Sequence, residues 1–244
     1  MAKNRDNSII LLVDPPEADK VIPELKTAFG PERAVHVNSD LLTSVYKLAK
    51  NFNDAILILS YAKSARHPDL TWLDPEDPGF LEVKHTDFEE RLQEAVRLAF
   101  FTGAKKAVLI SHLSPELKSD WIQEAINAVN DRTVAIGANT DGTYYLVGLT
   151  QPNLKIFEPT GFSRGKSGET LAERARRNKL AVFSTPETYT VTGEETLLRW
   201  MENKETLPPI FTAQHAGPPA AEPKKHHRRP KHESQEPPAE KPQI

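Results

Sequence analysis

Ionisable side chains follow several short apolar runs of the sequence, and these side chains are the candidates for chemistry. Asp14 closes the run SIILLVD, His112 follows KAVLIS, and Asp141 lies in a turn that follows TVAIG. A carboxylate can accept hydrogen bonds from a ligand or hold a cation, and an imidazole can transfer a proton near neutral pH. Because open α/β sheets bind ligands at the carboxyl ends of their strands, we expect these three residues to lie near one another.

Each candidate also has a purely structural interpretation. Asp14 precedes two prolines and could simply cap a turn, and Asp141 forms with Gly142 one of the commonest turn pairs. A lone histidine such as His112, with no acidic residue beside it in the sequence, is often a hydrogen-bonded structural residue. The residue types alone leave both interpretations open.

A second candidate site is the glycine-rich segment GFSRGKSG, which spans Gly161–Gly168. Arg164 and Lys166, with backbone N–H groups at the start of a following helix, could receive a phosphate group. The segment has no fixed phosphate-loop spacing, so a surface loop is the alternative.

Several familiar signatures are missing. The sequence contains no G-x-G-x-x-G after its first apolar run, no G-x-x-x-x-G-K-[ST], no G-x-S-x-G and no H-E-x-x-H. It also contains no cysteine, which excludes a disulfide framework and a thiolate nucleophile. Function must therefore be inferred from the layout of the elements.

Apolar β-branched runs alternate with segments of helical periodicity, which predicts an α/β domain with a mainly parallel sheet flanked by helices. The predicted strands are Ser8–Asp14, Ala55–Ser60, Lys106–Ser111, Thr133–Gly137, Thr143–Leu149 and Leu180–Ser184. The predicted helices are Leu41–Phe52, Thr86–Thr102, Leu117–Val129, Gly168–Asn178 and Gly193–Asn203. We expect Ser114 to cap the third helix, and Thr143–Leu149 to run antiparallel to Thr133–Gly137.

The stretch Thr86–Leu149 resembles a bacterial family of glycosyltransferase-like proteins with the GT-A, or nucleotide-diphospho-sugar transferase, fold. Its most specific motif is GANTDGTYYLVGL (Gly137–Leu149), against the family's G-P-A-x-D-G-G-Y-Y-L-[IL]-G-L. A weaker likeness continues through Ile156-Phe157, GFS at 161–163 and Pro186–Leu197. In all, the resemblance covers about residues 8–203. Many members are described only as a domain of unknown function, and some as arsenosugar-biosynthesis glycosyltransferases.

The sequence departs from this family at acidic and basic positions. The family's strand-end G-[ST]-D-[CS]-P has Leu113 in place of its acid, and the later D-[VI]-D-T has Thr190 and Thr192. The basic K-T-R-L segment stands as LKTA around Lys26. Because a hard cation needs anionic oxygen ligands, we expect no metal site, and manganese or magnesium only if the family's activity is retained.

The resemblance implies a nucleotide sugar as ligand. For such a ligand, the candidate catalytic residues are Asp141, which the family retains, and His112, and the candidate substrate-binding residues are Asp14, Gly142, Tyr144, Arg164 and Lys166. Tyr144 and Tyr145 alternate in a strand, so at most one of them should line the ligand site. The alternative function is a non-catalytic binding or scaffolding module derived from the same fold.

Charge and composition limit the other partners. The formal net charge of −3 provides no overall basic field for nucleic acid, although KKHHRRPKH (Lys224–His232) could make a weak contact. The apolar run near the N-terminus is too short to span a membrane, so we expect a cytoplasmic protein. The expected organisation is a flexible segment 1–7, the domain 8–203, a linker 204–211 and a disordered proline-rich tail 212–244. The oligomeric state is left open.

Overall fold

Seven strands of the described residues form one mixed sheet. The computed structural model describes residues 3–84, 87–157 and 170–205, all within the first of two units into which the chain divides, Met1–Thr206. The strands are β1 (Asn7–Val13), β2 (Ile56–Tyr61), β3 (Leu81–Glu82), β4 (Lys106–Ile110), β5 (Thr133–Ala138), β6 (Tyr144–Leu149) and β7 (Ala181–Ser184). Their order across the sheet is β3-β2-β1-β4-β6-β5-β7.

The sheet is parallel except at β6, which runs antiparallel to β4 and to β5. The predicted mainly parallel α/β fold and the predicted antiparallel pairing of β5 with β6 are therefore confirmed. The remaining neighbours pair in parallel: β1 with β2 and β4, β2 with β3, and β5 with β7. This arrangement puts the ends of β1, β2, β4 and β5, and the beginning of β6, at one edge.

Helices cover both faces of the sheet. They are α1 (Pro23–Phe29), α2 (Pro31–Asn51), α3 (Phe88–Phe101), α4 (Ser119–Ala128), α5 (Leu171–Arg177) and α6 (Glu194–Glu205), with a 3-10 helix over Gln151–Phe157. Side chains alternate along β1, so Ile9 and Leu11 pack with α2 and α4 while Ile10 packs with α3 and α5. A third apolar cluster joins α1, the first turns of α2, and α6.

Local sequence explains several helix ends. The Asp87 carboxylate accepts hydrogen bonds from Glu89 N and Glu90 N at the start of α3, and Gly103 follows its end with a φ of 103°. At α5, Thr170 and Glu173 form a capping box.

Two sequence-based helix boundaries were wrong. The helix predicted from Leu41 is the second half of α2, which begins at Pro31 after Gly30 in a left-handed conformation. The helix predicted after Ser114 begins only at Ser119, with Lys118 as its N-cap. The Ser114 hydroxyl is fully buried and donates to Asn139 Oδ1 instead, so a distant partner replaced the local cap.

Residues that precede β1 contact the end of α2 and the segment before β2. Before β1, Lys3 Nζ donates to Lys50 O and Asn4 donates to the Asp54 carboxylate. Of the predicted linker 204–211, residues 204 and 205 belong to α6, and residues 206–211 and the predicted tail 212–244 lie outside the described residues. Within the described ranges, every helix is too short or too polar to cross a membrane.

Candidate functional site

The predicted candidates Asp14, His112 and Asp141 lie at the same edge of the sheet. Asp14 is the first residue after β1, His112 is the second residue after β4, and Asp141 lies in the turn between β5 and β6. The edge is continuous there, since Ser111 N donates to Tyr145 O at 2.9 Å. The topology therefore places together residues that are far apart in sequence, as the strand-end rule predicts.

Arg91, on α3, holds Asp14 in place. Its Nη1 donates to Asp14 Oδ1 at 2.5 Å, and its Nη2 donates to Val13 O at 2.9 Å and to Ser60 O at 3.3 Å. Arg91 is 4% exposed, whereas the Asp14 side chain is 30% exposed. Sequence reasoning missed Arg91; the available signal was a charged residue on the apolar face of the predicted helix.

His112 forms a hydrogen bond with α2. Its Nε2 donates to Asn38 Oδ1 at 3.0 Å, which leaves Nδ1 without a proton in the neutral ring. Burial lowers the pKa of His112 to about 4, and the nearby Asp14 charge opposes this shift only in part. The ring is therefore neutral at physiological pH, and its hydrogen bond to Asn38 agrees with the structural interpretation of His112.

Asp141 is bound by its own turn. Its Oδ1 accepts hydrogen bonds from Thr143 N at 2.8 Å and from Thr143 Oγ1 at 2.6 Å. Burial raises the pKa of Asp141, but the two hydrogen bonds from Thr143 outweigh it, so the net shift is downward. Gly142 adopts a φ of 80° and donates its N–H to Asn139 O at 2.9 Å. Asp141 thus presents an exposed, ionised carboxylate on an ordered turn.

A polar network supports this turn from below. The buried Ser114 hydroxyl donates to Asn139 Oδ1 at 3.1 Å, and Asn139 Nδ2 donates to Thr143 Oγ1 at 2.9 Å. Because Thr143 gives its single hydroxyl proton to Asp141, the Thr190 hydroxyl donates to Thr143 at 3.0 Å. The network links the loop after β4, the end of β5 and the segment after β7. Sequence analysis did not identify Asn139 as its centre.

At positions where the family that this sequence resembles carries acids, the chain has uncharged side chains. The Leu113 side chain packs against the cluster of α1, α2 and α6, and its carbonyl accepts from Val191 N at 2.8 Å. Thr190 is buried and hydrogen-bonded to Thr143. Across residues 3–84, 87–157 and 170–205, no three His, Asp or Glu side chains are grouped to hold a metal ion. Leu113 and Thr190 offer no carboxylate oxygen, so these positions do not fit a divalent cation.

The two tyrosines point to opposite faces, as predicted from strand alternation. The Tyr144 hydroxyl accepts from Leu171 N at 2.8 Å, at the beginning of α5. The Tyr145 hydroxyl donates to Pro186 O and accepts from Thr185 Oγ1, both at 2.7 Å. A substrate-binding role for Tyr144 stays a prediction. The remaining predicted binding residues, Arg164 and Lys166, lie outside the described residues.

A cleft of about 130 Å³ lies between α3 and the 3-10 helix. It is lined by Leu92, Gln93, Val96, Arg97, Leu154 and Phe157. None of the residues singled out from the sequence lines it.

Part of the sequence matches a known protein family. Residues 46–164 match the model of a family described as "Uncharacterized protein conserved in bacteria (DUF2064)". No curated protein matches the chain in sequence.

Three solved structures are similar in fold. A presumed nucleotide-diphospho-sugar transferase from Desulfovibrio desulfuricans G20 superposes with a TM-score of 0.71 at 24% identity, over 85% of this chain and 90% of that one. A nucleotidyl transferase from Methanothermobacter thermautotroptrophicus has a TM-score of 0.57 at 11% identity, over 81% and 96%. A 4-diphosphocytidyl-2C-methyl-D-erythritolsynthase from Anaerococcus prevotii DSM 20548 has a TM-score of 0.52 at 13% identity, over 83% and 96%. The chain therefore has the nucleotide-diphospho-sugar transferase fold, and over residues 46–164 its sequence matches this family of uncharacterized bacterial proteins.

Proposed function

We propose that the protein is a glycosyltransferase-like protein that binds a nucleotide sugar at the edge of the sheet where Asp14, His112 and Asp141 converge. One observation carries the proposal: three polar residues from separate parts of the chain meet at the edge where sheets of this kind bind ligands. The nucleotide-diphospho-sugar transferase fold supports the same ligand class.

The residues at this edge suit different parts of such a ligand. Asp14 keeps part of its carboxylate exposed and can accept hydrogen bonds from a base or ribose. Along the edge, His112 follows a strand that lies between the strand before Asp14 and the two strands joined by the Asp141–Gly142 turn. The Asp141 carboxylate and the Gly142 backbone can therefore face a sugar, on the side of His112 away from Asp14. Arg164 and Lys166 would supply positive charge to the diphosphate.

As a catalytic base, His112 would be weak. A pKa of about 4 leaves its free Nδ1 a poor proton acceptor at neutral pH, because general bases work best when their pKa lies near the working pH. Asp141 would then orient the sugar and stabilise positive charge that develops on it during transfer.

A second candidate function is a binding module without transfer activity, with residues 212–244 as an adaptor. A specific observation favours it: the partly buried Leu113 side chain packs against the cluster of α1, α2 and α6, and the Thr190 hydroxyl is hydrogen-bonded to Thr143, at positions where the family that the sequence resembles carries acids. A protein of this kind would keep the nucleotide site and lack the cation that neutralises the diphosphate.

Nucleotide binding is tested first by thermal shift. We expect one of the nucleoside diphosphates or nucleotide sugars, at 100 times its dissociation constant, to stabilise the protein by about 2.7 kcal/mol. For a domain of this size, the melting temperature should rise by roughly 5–10 °C. Asp14→Asn should reduce the shift, whereas Asp19→Asn, at an exposed position in the loop that follows β1, should leave it unchanged. The proposal fails if no nucleotide stabilises the wild-type protein.

Manganese should add little to this stabilisation. Octahedral cations normally require at least one or two carboxylate ligands, and the positions of Leu113 and Thr190 supply none. Isothermal titration calorimetry with MnCl₂ should therefore detect no tight site, with or without UDP. Tight binding that disappears in Asp141→Ala would contradict this and would favour the transferase over the binding module.

A further inference from the structure

Arg91 connects the two strand ends at the proposed ligand edge. We infer that Arg91 is a positioning residue that fixes the Asp14 carboxylate toward the ligand, an inference that depends on the nucleotide site proposed above. The side chain reaches from α3 across the ends of β1 and β2. It contacts one side-chain acceptor and two main-chain carbonyls.

The shape of the guanidinium explains how this contact orients Asp14. Its donors lie in one rigid plane, so binding Val13 O and Ser60 O with Nη2 fixes the direction in which Nη1 points. That direction meets Asp14 Oδ1, and one oxygen of the carboxylate is thereby held against the protein. A lysine ammonium has no such fork and would leave the carboxylate free to rotate.

Burial supports an orienting role over a simple cross-link. The Arg91 side chain is only 5% exposed, and a buried cation costs several kcal/mol unless it is paired. Its Nε is also buried and has no hydrogen-bond partner among the described residues. Pairing with Asp14 therefore offsets the desolvation cost of the buried guanidinium, which favours a firmly held contact.

The charge of Asp14 also affects the pKa of His112, and this pKa can be measured without any ligand. The Asp14 carboxylate raises the pKa of His112 against the larger lowering effect of burial. Arg91 pairs with that carboxylate at 2.5 Å and so partly neutralises its charge. Removing the arginine should strengthen the effect of Asp14 on His112, whereas a purely structural loss of packing should not.

The experiment compares Arg91→Met, Arg91→Lys and Asp14→Asn, with Arg97→Met on the exposed side of the same helix as the control. The pKa of His112 is measured by NMR. We expect it to rise by roughly 0.5–1 in Arg91→Met, to stay close to the wild-type value in Arg91→Lys, and to fall in Asp14→Asn. Arg97→Met should not change it.

A second measurement concerns binding of UDP, CDP, GDP and ADP by calorimetry. Arg91→Met and Arg91→Lys should each weaken the best-bound nucleotide by about tenfold or more. Combining Arg91→Met with Asp14→Asn should weaken it no further than the stronger single variant, because both changes remove one arrangement.

Different results separate the two proposals. If no nucleotide binds the wild-type protein, the proposed function fails, and the His112 titration alone then shows whether Arg91 governs Asp14. An unchanged pKa of His112 in folded Arg91→Met overturns the positioning role. If Arg91→Met does not fold, Arg91→Lys decides: unchanged nucleotide affinity in that variant overturns the inference.

Discussion

Gly137→Ala should destabilise the protein by about 3 kcal/mol, at the upper end of the usual cost of overpacking a core. A Cβ at this position would lie 2.5 Å from Tyr145 Cζ and 2.6 Å from Thr185 Oγ1. Neither neighbour can move easily, because the buried Tyr145 hydroxyl is hydrogen-bonded to both Thr185 and Pro186. The new methyl group must therefore displace the ring and break these hydrogen bonds.

Urea denaturation at pH 7 measures this effect, with Gly193→Ala as the matched control. A Cβ at Gly193 meets no atom within 4 Å, and the backbone there does not have a positive φ. The control should change the free energy of unfolding by no more than about 0.5 kcal/mol. If the two variants were equally stable, the close approach of Gly137 to Tyr145 would be incorrect.

Asp74→Asn should lower the free energy of unfolding at pH 7 by on the order of 2 kcal/mol. The nearly buried carboxylate accepts hydrogen bonds from Lys50 Nζ at 2.6 Å, from Tyr46 Oη at 2.7 Å and from Glu76 N at 3.1 Å. The hydrogen bond from Lys50, followed by that from Tyr46, lowers the pKa of Asp74 to about 2. These contacts attach the loop after β2 to α2.

The pH dependence of the free energy of unfolding follows from the lowered pKa of Asp74. A carboxyl whose pKa is about 2 in the folded state and about 4 in the unfolded state stabilises the fold fully above pH 4. That contribution disappears as the pH falls from about 4 to 2. The difference between wild type and Asp74→Asn should therefore be largest near neutral pH and shrink toward pH 2.

Glu76→Gln is the control for Asp74, because Glu76 pairs with the same Lys50 at 3.1 Å but has an 82% exposed side chain. A solvent-exposed pair contributes little, so this variant should lose less than about 0.5 kcal/mol. A deficit in Asp74→Asn that was as large at pH 2 as at pH 7 would show that packing, and not the charge of Asp74, stabilises the loop.

The amino-acid sequence determined six of the seven strands of the described sheet, all but the two-residue β3, and much of the candidate edge. Short apolar runs such as IILLV and KAVLI, rich in aliphatic and β-branched residues and bounded by polar ones, favour buried strands, and this pattern is local information. The turn at Asn139–Gly142 was also predictable, because Asp-Gly pairs favour it. Together with the strand-end rule, these patterns placed Asp14, His112 and Asp141 at one edge.

Local patterns misled where a side chain had a distant partner. Ser114 precedes a proline and an acid, as helix N-caps do, yet its hydroxyl binds Asn139 from another strand end. The first half of α2 was missed because PERAVHVN is polar and interrupted by β-branched residues, and its few apolar residues pack against α1 and α6. In both cases tertiary packing outweighed local preference.

Only the tertiary structure decided what the candidate residues bind within the protein. Asp14 pairs with Arg91, His112 with Asn38, and the partners are separated by 77 and 74 residues. Composition and periodicity report which side chains are buried, but they contain no information about which buried polar groups face each other. That pairing is set when the strands and helices pack, because each hydrogen bond needs both groups within about 3 Å and correctly oriented.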